Sequence, residues 1–205
     1  LEPQNQWNDI LYSSVNIAPF SGSARPRCTA VSFDGGKSLF VSGRDSSAST
    51  SSIYFKLFKM KVPVFASTLL SYSLNPQNEL GRQIHIDLLF TDGSRLTELQ
   101  ASANDSLPLS GARGLLQRWT RIVCPVGRYA AGKQIQEILV GYNNPSDVGD
   151  FSAYLDSLEV FLSGGIPVPW SRSDVGGALP KGSAVLENDL WYVLGGGKGL
   201  LYGGD

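Results

Sequence analysis

Apolar and polar residues alternate with a period of two through most of this sequence. In "QIHIDLLF" (83–90), Ile84, Ile86 and Leu88 fall on one side of an extended chain, and polar residues fall between them. The same pattern, bounded by turn-forming residues, predicts strands at 38–43, 52–64, 67–74, 83–90, 118–125, 134–143 and 151–162. Many short strands with little helix predict an all-β fold, an antiparallel β-sandwich of the jelly-roll type.

The alternation ends near residue 162, and this sets the predicted domain boundaries. Residues 1–162 are predicted to form one β-sandwich module, because a chain of about 150 residues buries an adequate core. The Pro- and Gly-rich stretch "SGGIPVPWSRSDVGGALPKG" predicts a linker at 163–182. Residues 183–205 resume a strand pattern but are too few for a core. They either pack on the first module or begin a second, truncated β-sandwich.

The charge balance argues against several classes of partner. The chain has 17 basic and 18 acidic residues and a pI close to 5.9. It therefore predicts no basic face for nucleic acid or for an anionic membrane. In addition, no apolar run approaches the roughly 20 residues that a bilayer span needs.

The single histidine, His85, raises the question of catalysis, because Asp87 follows two residues later. On a strand both side chains project to the same face, about 7 Å apart. Nucleophilic catalysis also needs an activated serine or cysteine and an oxyanion hole, and one histidine does not make a typical zinc site. We interpret His85 as a half-exposed strand residue of the scaffold, with ligand contact and catalysis as the alternatives.

Aromatic and amide side chains give the candidate ligand site. The 4 Trp and 8 Tyr of this charge-poor chain suit sugar binding. In such binding a ring face meets the C–H face of a pyranose, and polar groups hold the hydroxyls. Trp119 precedes a predicted strand, and Tyr142 ends another beside a polar loop. The predicted ligand-binding residues are Trp119, Tyr142, Asn143, Asn144 and Asp147.

The same loop offers oxygen ligands for a metal ion. Asn143, Asn144, Asp147 and Asp150 lie close together in sequence, and Ca²⁺ prefers carboxylate and amide oxygens. Their spacing is not that of an EF-hand. A structural calcium held by Asp147 and Asp150 is the predicted metal site, and turn formation is the alternative role for both residues.

An ordered string of motifs resembles a known family. The motifs are "DLLFTDGSRL" (87–96), Trp119, "GRYAAGKQIQEILVGY" (127–142) and "YLDSL" (154–158). In this order they resemble the galactose-binding-like β-sandwich modules that are appended to secreted bacterial glycoside hydrolases. The resemblance covers roughly residues 35–162. It implies the same fold as the strand pattern.

The resemblance also implies a non-catalytic function. Modules of this family usually bind glycan through loops at one end of the sandwich or through a concave sheet face, and they often carry a structural calcium. They target an attached glycoside hydrolase to its polysaccharide by raising the effective concentration of substrate. The expected partners are therefore a polysaccharide and a catalytic domain of the same parent chain, in a secreted or cell-surface protein.

Three alternatives stay open at this point. The chain is a carbohydrate-binding module, a catalytic fragment of a glycoside hydrolase or polysaccharide lyase, or a structural spacer or protein-interaction domain. The cysteines also leave two possibilities. Cys28 and Cys124 lack metal-ligand spacing, and they form either a disulfide, which secretion favours, or two buried thiols.

Overall fold

The computed structural model describes residues 20–29, 31, 33, 36–145, 147–163, 183–187 and 190–194. Beyond Ser163, the predicted linker at 163–182 lies outside the described residues. The described strands are β1 (Gly22–Thr29), β2 (Ser38–Asp45), β3 (Ser51–Pro63), β4 (Thr68–Pro76), β5 (Ile84–Phe90), β6 (Thr120–Cys124), β7 (Gln134–Asn144), β8 (Gly149–Leu162), β9 (Ser183–Glu187) and β10 (Leu190–Leu194). A 3₁₀ turn, Leu80–Gln83, precedes β5, and helix α1 (Val126–Ala130) precedes β7. Of the helices in the described ranges, none is long and apolar enough to cross a bilayer.

The strands form two antiparallel sheets that pack face to face. The five-stranded sheet has the order β1-β2-β8-β4-β6, and the three-stranded sheet has the order β3-β7-β5. Strands far apart in the chain, such as β2 and β8, are neighbours in a sheet, as in a jelly roll. The predicted antiparallel jelly-roll sandwich is therefore confirmed. Strands β9 and β10 pair with each other as a hairpin, and their role as the start of a second module stays a prediction.

The core lies between the sheets, where the apolar positions of the alternating pattern meet. In β5, Ile84, Ile86 and Leu88 are at most 1% exposed, and in β4 Leu70 and Leu74 are fully buried. Burial of each such side chain stabilises the fold by about 1.5–3 kcal/mol. Because inner and outer positions alternate along a strand, these core residues also determine which side chains point to the outer face of each sheet.

Strand β1 is not among the strands that the alternation predicts. Its sequence, GSARPRCT, contains Pro26 and few apolar residues. Proline lacks a backbone N–H and is tolerated at a sheet edge, where one side of the strand needs no partner. In the described structure β1 lies at the edge of the five-stranded sheet and pairs with β2. Pairing with β2, rather than a local pattern, therefore makes this segment a strand.

The two cysteines are not bridged, so the disulfide alternative is wrong. Cys28 lies in β1 and Cys124 in β6, at the two edges of the five-stranded sheet. With about 4.8 Å between neighbouring strands, the edges lie about 19 Å apart, whereas a disulfide needs its Cα atoms within about 7 Å. Cys28 is half-buried rather than buried. Burial raises the pKa of the Cys124 thiol to about 12, so it is protonated at neutral pH.

Residues 95–97, in the long segment between β5 and β6, lie over the outer face of the three-stranded sheet. Thr97 donates from its hydroxyl to Asp87 Oδ2 at 2.6 Å and from its backbone N–H to Asp87 Oδ1 at 3.1 Å. The guanidinium carbon of Arg95 lies 4.6 Å from the ring centroid of Tyr54. Asp87, Tyr54 and Arg95 are all buried. This outer face is therefore part of the protein interior.

Candidate functional site

Four aromatic rings form a chain across the outer face of the five-stranded sheet. Phe40 in β2 lies directly opposite Tyr154 in β8, and their ring centroids are 4.6 Å apart. The Trp119 ring, just before β6, is 6.4 Å from Tyr154, and the Phe33 ring is 5.9 Å from Trp119. We call Phe40, Tyr154, Trp119 and Phe33 the aromatic row.

The strand register explains why these rings point outward. Leu39 and Val41 are 2% and 1% exposed in the core, so Phe40 between them projects to the other face. The same alternation in β8 places Tyr154 outward. Phe40, Tyr154 and Trp119 are half-buried, and Phe33 is 51% exposed. The row thus presents apolar surface on a sheet face whose other positions are mainly serine, asparagine and charged residues.

A buried carboxylate holds one end of the row in place. Asp156 in β8 is 3% exposed. Its Oδ2 accepts a hydrogen bond from the backbone N–H of Phe33 at 2.7 Å, and its Oδ1 accepts one from Ser157 at 2.6 Å. Ser157 has φ of 49°, at an irregularity in the pairing of β8 with β4. Asp156 is therefore a positioning residue that ties Phe33 to the sheet beside Trp119.

Charged side chains surround the row on the same face. Arg27 in β1 lies opposite Phe40, with its guanidinium carbon 4.9 Å from the ring centroid. At the other end, Arg121 pairs with Glu159 at 3.2 Å, beside Trp119 in the sheet. Exposed pairs of this kind contribute little to stability, about 0–1 kcal/mol.

Of the predicted ligand-binding residues, the structure places Trp119 in the row and Tyr142 in the core. Tyr142 is 1% exposed, and its ring stacks on Phe151 with centroids 3.9 Å apart and planes 14° apart. Burial raises the pKa of its phenol well above the ordinary value. No face of the Tyr142 ring is therefore open to a sugar in this structure, and ligand contact by Tyr142 stays a prediction.

Asn144 is also structural. It is 1% exposed, and its side-chain amide donates to Asp45 Oδ2 at 2.8 Å and to the backbone oxygen of Asp147. Its Oδ1 accepts the backbone N–H of Asp147 at 3.0 Å. These hydrogen bonds use both the amide nitrogen and the amide oxygen of Asn144, and ligand contact by Asn144 stays a prediction. Asn143 is half-buried on the outer face of the three-stranded sheet, and Asp147 is exposed in the loop. The structure does not bring these residues together with Trp119.

One of the two predicted calcium ligands, Asp150, takes part in an ion pair. Asp150 pairs with Arg44 at 3.2 Å on the outer face of the five-stranded sheet, and both side chains are more than 60% exposed. Within the described ranges, no group of three or more His, Cys, Asp or Glu side chains is gathered as metal ligands. Calcium prefers six to eight oxygens. Calcium binding by Asp147 and Asp150 stays a prediction.

The His85 and Asp87 side chains are buried, so the prediction of a half-exposed histidine is wrong. His85 is 1% exposed and Asp87 is 0% exposed. The carboxylate of Asp87 is used by Thr97 and by the backbone N–H of Leu88 at 2.8 Å. Burial raises the pKa of Asp87, against the effect of these hydrogen bonds.

His85 is held neutral by its surroundings. Burial, with the nearby Arg113 and Arg95, lowers the pKa of His85 to about 4, although a hydrogen bond to the Gln83 carbonyl opposes this effect. Nδ1 lies 3.1 Å from that carbonyl and donates to it, while Nε2 has no hydrogen-bond partner among the described atoms. A sealed, neutral imidazole without access to solvent fits a scaffold residue, in agreement with our interpretation from the sequence.

Of the four residues in the aromatic row, the sequence analysis identified only Trp119. Two of the others could have been recognised from the strand pattern. Phe40 and Tyr154 occupy polar-face positions of strands whose neighbours are apolar, which marks them as outward-facing aromatics. Phe33 lies before β2 and has no periodic context. The fold and the row together define a jelly-roll β-sandwich with an aromatic surface on one outer sheet face.

Several solved structures of this fold class are similar to the chain. The glycoside hydrolase domain of Endo-D from Streptococcus pneumoniae R6 is 18% identical with a TM-score of 0.44, over 69% of this chain and 21% of that chain. A β-1,2-glucanase from Parabacteroides distasonis is 14% identical with a TM-score of 0.46, over 78% and 24%. A carbohydrate-binding module solved with β-1,4-galactotriose is 11% identical with a TM-score of 0.40, over 71% and 89%.

These likenesses carry no argument about activity, because the identities lie below 25% and the TM-scores below 0.5. The chain spans about a fifth to a quarter of the two enzyme chains. No protein-family model matches the sequence, and no curated protein matches it significantly. Functional conclusions therefore rest on the residues of this chain.

Proposed function

We propose that this protein is a carbohydrate-binding module that binds glycan along the aromatic row. The observation that carries the proposal is the continuous chain of four rings across an outer sheet face. Partly exposed apolar surface among polar residues is typical of a binding site in soluble proteins. Tyrosine and tryptophan suit sugars in particular, because each offers an apolar ring face and a polar group at the rim.

Polar groups beside the rings supply hydrogen bonds to sugar hydroxyls. Ser42 and Ser152 lie opposite each other in the β2–β8 ladder, one outer position away from Phe40 and Tyr154. A saccharide lying across the strands therefore meets rings in one row and serine hydroxyls in the next. Such a shallow, open site favours a chain of sugars over a small enclosed ligand.

The proposal is for binding without catalysis. Glycoside hydrolysis uses two carboxyl groups that face each other across the scissile bond. The acidic groups near the row are already engaged. Asp156 accepts two backbone N–H groups, Glu159 pairs with Arg121, and Asp150 pairs with Arg44. We further propose an attached glycoside hydrolase in the same parent chain and a secreted or cell-surface location, as the family resemblance implies.

Replacing Tyr154 or Trp119 with alanine is expected to weaken glycan binding at least about tenfold, because each removes a ring from the row. Affinity gel electrophoresis against a panel of neutral and acidic polysaccharides measures the effect. Tyr129→Ala is the matched control. Tyr129 is a half-buried tyrosine on α1, which packs at the opposite end of β4 from the row. Thermal melts show whether each variant is folded.

Two outcomes would contradict the proposed function. Equal retardation of wild type and a folded Tyr154→Ala variant would place binding elsewhere on the molecule. New reducing ends or unsaturated products after incubation with the same polysaccharides would show a glycoside hydrolase or lyase instead.

A further inference from the structure

We infer that the glycan bound at the aromatic row carries oxyanion groups, and that Arg27 is the side chain that binds them. The oxyanions are either the carboxylates of uronic acids or sulfate esters, and each of these groups can accept hydrogen bonds on two oxygens from two N–H groups of a guanidinium. This inference rests on the proposed function. It adds the chemical class of the ligand and a specificity-determining residue.

The position of Arg27 is the first observation. Arg27 lies directly opposite Phe40 in the β1–β2 ladder, and Phe40 lies directly opposite Tyr154 in the β2–β8 ladder. Arg27 therefore continues the row by one strand, about 10 Å from Tyr154 at two strand spacings. A saccharide that stacks on Tyr154 and runs across the strands passes Arg27 as it leaves the rings.

The second observation is that the Arg27 guanidinium is held in place by a ring. Its central carbon lies 4.9 Å from the centroid of Phe40, while the residue as a whole is exposed. Stacking on an aromatic face stabilises a cation and leaves the N–H groups at the rim of the guanidinium available. Two of these N–H groups match the two oxygens of a carboxylate or sulfate. Part of the conformational entropy of the Arg27 side chain is thus lost before the ligand binds, which lowers the entropy cost of binding.

The third observation is the charge pattern of the face. Arg121 is neutralised by Glu159, and Arg44 by Asp150, each at 3.2 Å. Arg27 has no ionic partner in the described part of the chain, and neither does Arg25. Arg25 shares the outer face of β1, about 7 Å along the strand. The β1 end of the row is therefore cationic.

The net charge of the chain is close to zero, so the local charge at the β1 end of the row decides how the protein interacts with anionic ligands. The whole sequence has a formal net charge of −1. A protein near neutrality does not attract polyanions through its overall field. Selective binding of an acidic glycan must then come from a local site, and the cationic end of the row is such a site.

The test is affinity gel electrophoresis of the whole chain against matched pairs of polymers. Polygalacturonate and alginate are compared with their carboxyl-reduced forms, and carrageenan with its desulfated form. We expect at least about tenfold tighter binding to the acidic member of a pair. The polymer pair that shows this preference tells whether the bound oxyanion is a carboxylate or a sulfate ester. The preference should weaken as salt rises, because ionic contacts at exposed sites are screened.

Arg27→Gln should remove most of the preference for the acidic member while retaining binding to the neutral one. Arg27→Lys should recover part of it, since lysine restores the charge but not the two-pronged geometry. Arg128→Gln is the matched control. It removes the same charge from an exposed arginine beside Tyr129 on α1, and it should leave the preference unchanged.

The results separate this inference from the proposed function. Equal binding of acidic and neutral polymers by the wild type, or an acidic preference that survives Arg27→Gln, overturns the role of Arg27 and leaves glycan binding in place. Acidic binding that survives Tyr154→Ala overturns the location at the row. Absence of binding to every polymer, neutral and acidic, overturns both proposals.

Discussion

Replacing Asp45 with alanine is expected to lower the free energy of unfolding by about 3–5 kcal/mol. Asp45 ends β2 and is 0% exposed. Its carboxylate accepts the Ser51 hydroxyl at 2.6 Å, the Asn144 amide at 2.8 Å and the backbone N–H of Ser47 at 2.8 Å. Alanine leaves these donors buried without an acceptor, and each unsatisfied buried donor costs about 1–3 kcal/mol.

The effect should be large because Asp45 joins the two layers. It belongs to the five-stranded sheet, while Ser51 begins β3 and Asn144 ends β7 in the three-stranded sheet. Burial alone would raise the pKa of Asp45, but the hydrogen bonds from Ser51, Asn144 and Ser47 outweigh it and hold the pKa below the ordinary value. The carboxylate is thus ionised and fully bonded at one end of the sandwich.

Urea denaturation at neutral pH measures this loss. Asp150→Ala is the matched control, because Asp150 pairs with Arg44 on the surface and its removal should cost less than about 1 kcal/mol. A loss below about 1 kcal/mol for Asp45→Ala would mean that the three donors find other partners, and that the network does not hold the sheets together.

The second prediction is a loss of stability in mild acid that depends on His85. The pKa of His85 is about 4 in the folded protein and about 6.5 in an unfolded chain. Between these values the unfolded state binds a proton that the folded state does not. Protonation of His85 in the unfolded state therefore has no effect on stability above about pH 6.5, and it lowers the free energy of unfolding as the pH drops from 6.5 toward 4. At pH 4.5 the loss from this one group should be about 2–3 kcal/mol.

The comparison that isolates His85 is the difference between wild type and His85→Gln at pH 7 and at pH 4.5. Glutamine keeps a donor for the Gln83 carbonyl and does not titrate. Other groups titrate in both proteins and cancel in the difference. The variant should therefore lose about 2–3 kcal/mol less than the wild type on acidification. Identical pH dependence in the two proteins would show that His85 does not titrate with a lowered pKa.

Tyr142 and Tyr154 show what a sequence can and cannot reveal about the site. The alternation of Ile138, Val140 and Tyr142 on one side of β7 was sufficient to place Tyr142 in the core, although its position beside a polar loop suggested a ligand contact. The alternation in β8 places Tyr154 outward in the same way. The pattern does not show which residues lie beside Tyr154 on the neighbouring strand, because the pairing of β2 with β8 joins residues more than 100 positions apart.

The sequence by itself determined the antiparallel β-sandwich class, most of the strands and their inner faces. The physical reason is local, since a strand with apolar residues at every second position must bury one face. Tertiary structure alone decided which outer face is covered. Thr97 and Arg95 lie over His85, Asp87 and their sheet, and this makes the pair part of the interior. On the other sheet, strand pairing assembles the aromatic row from residues that no local pattern connects.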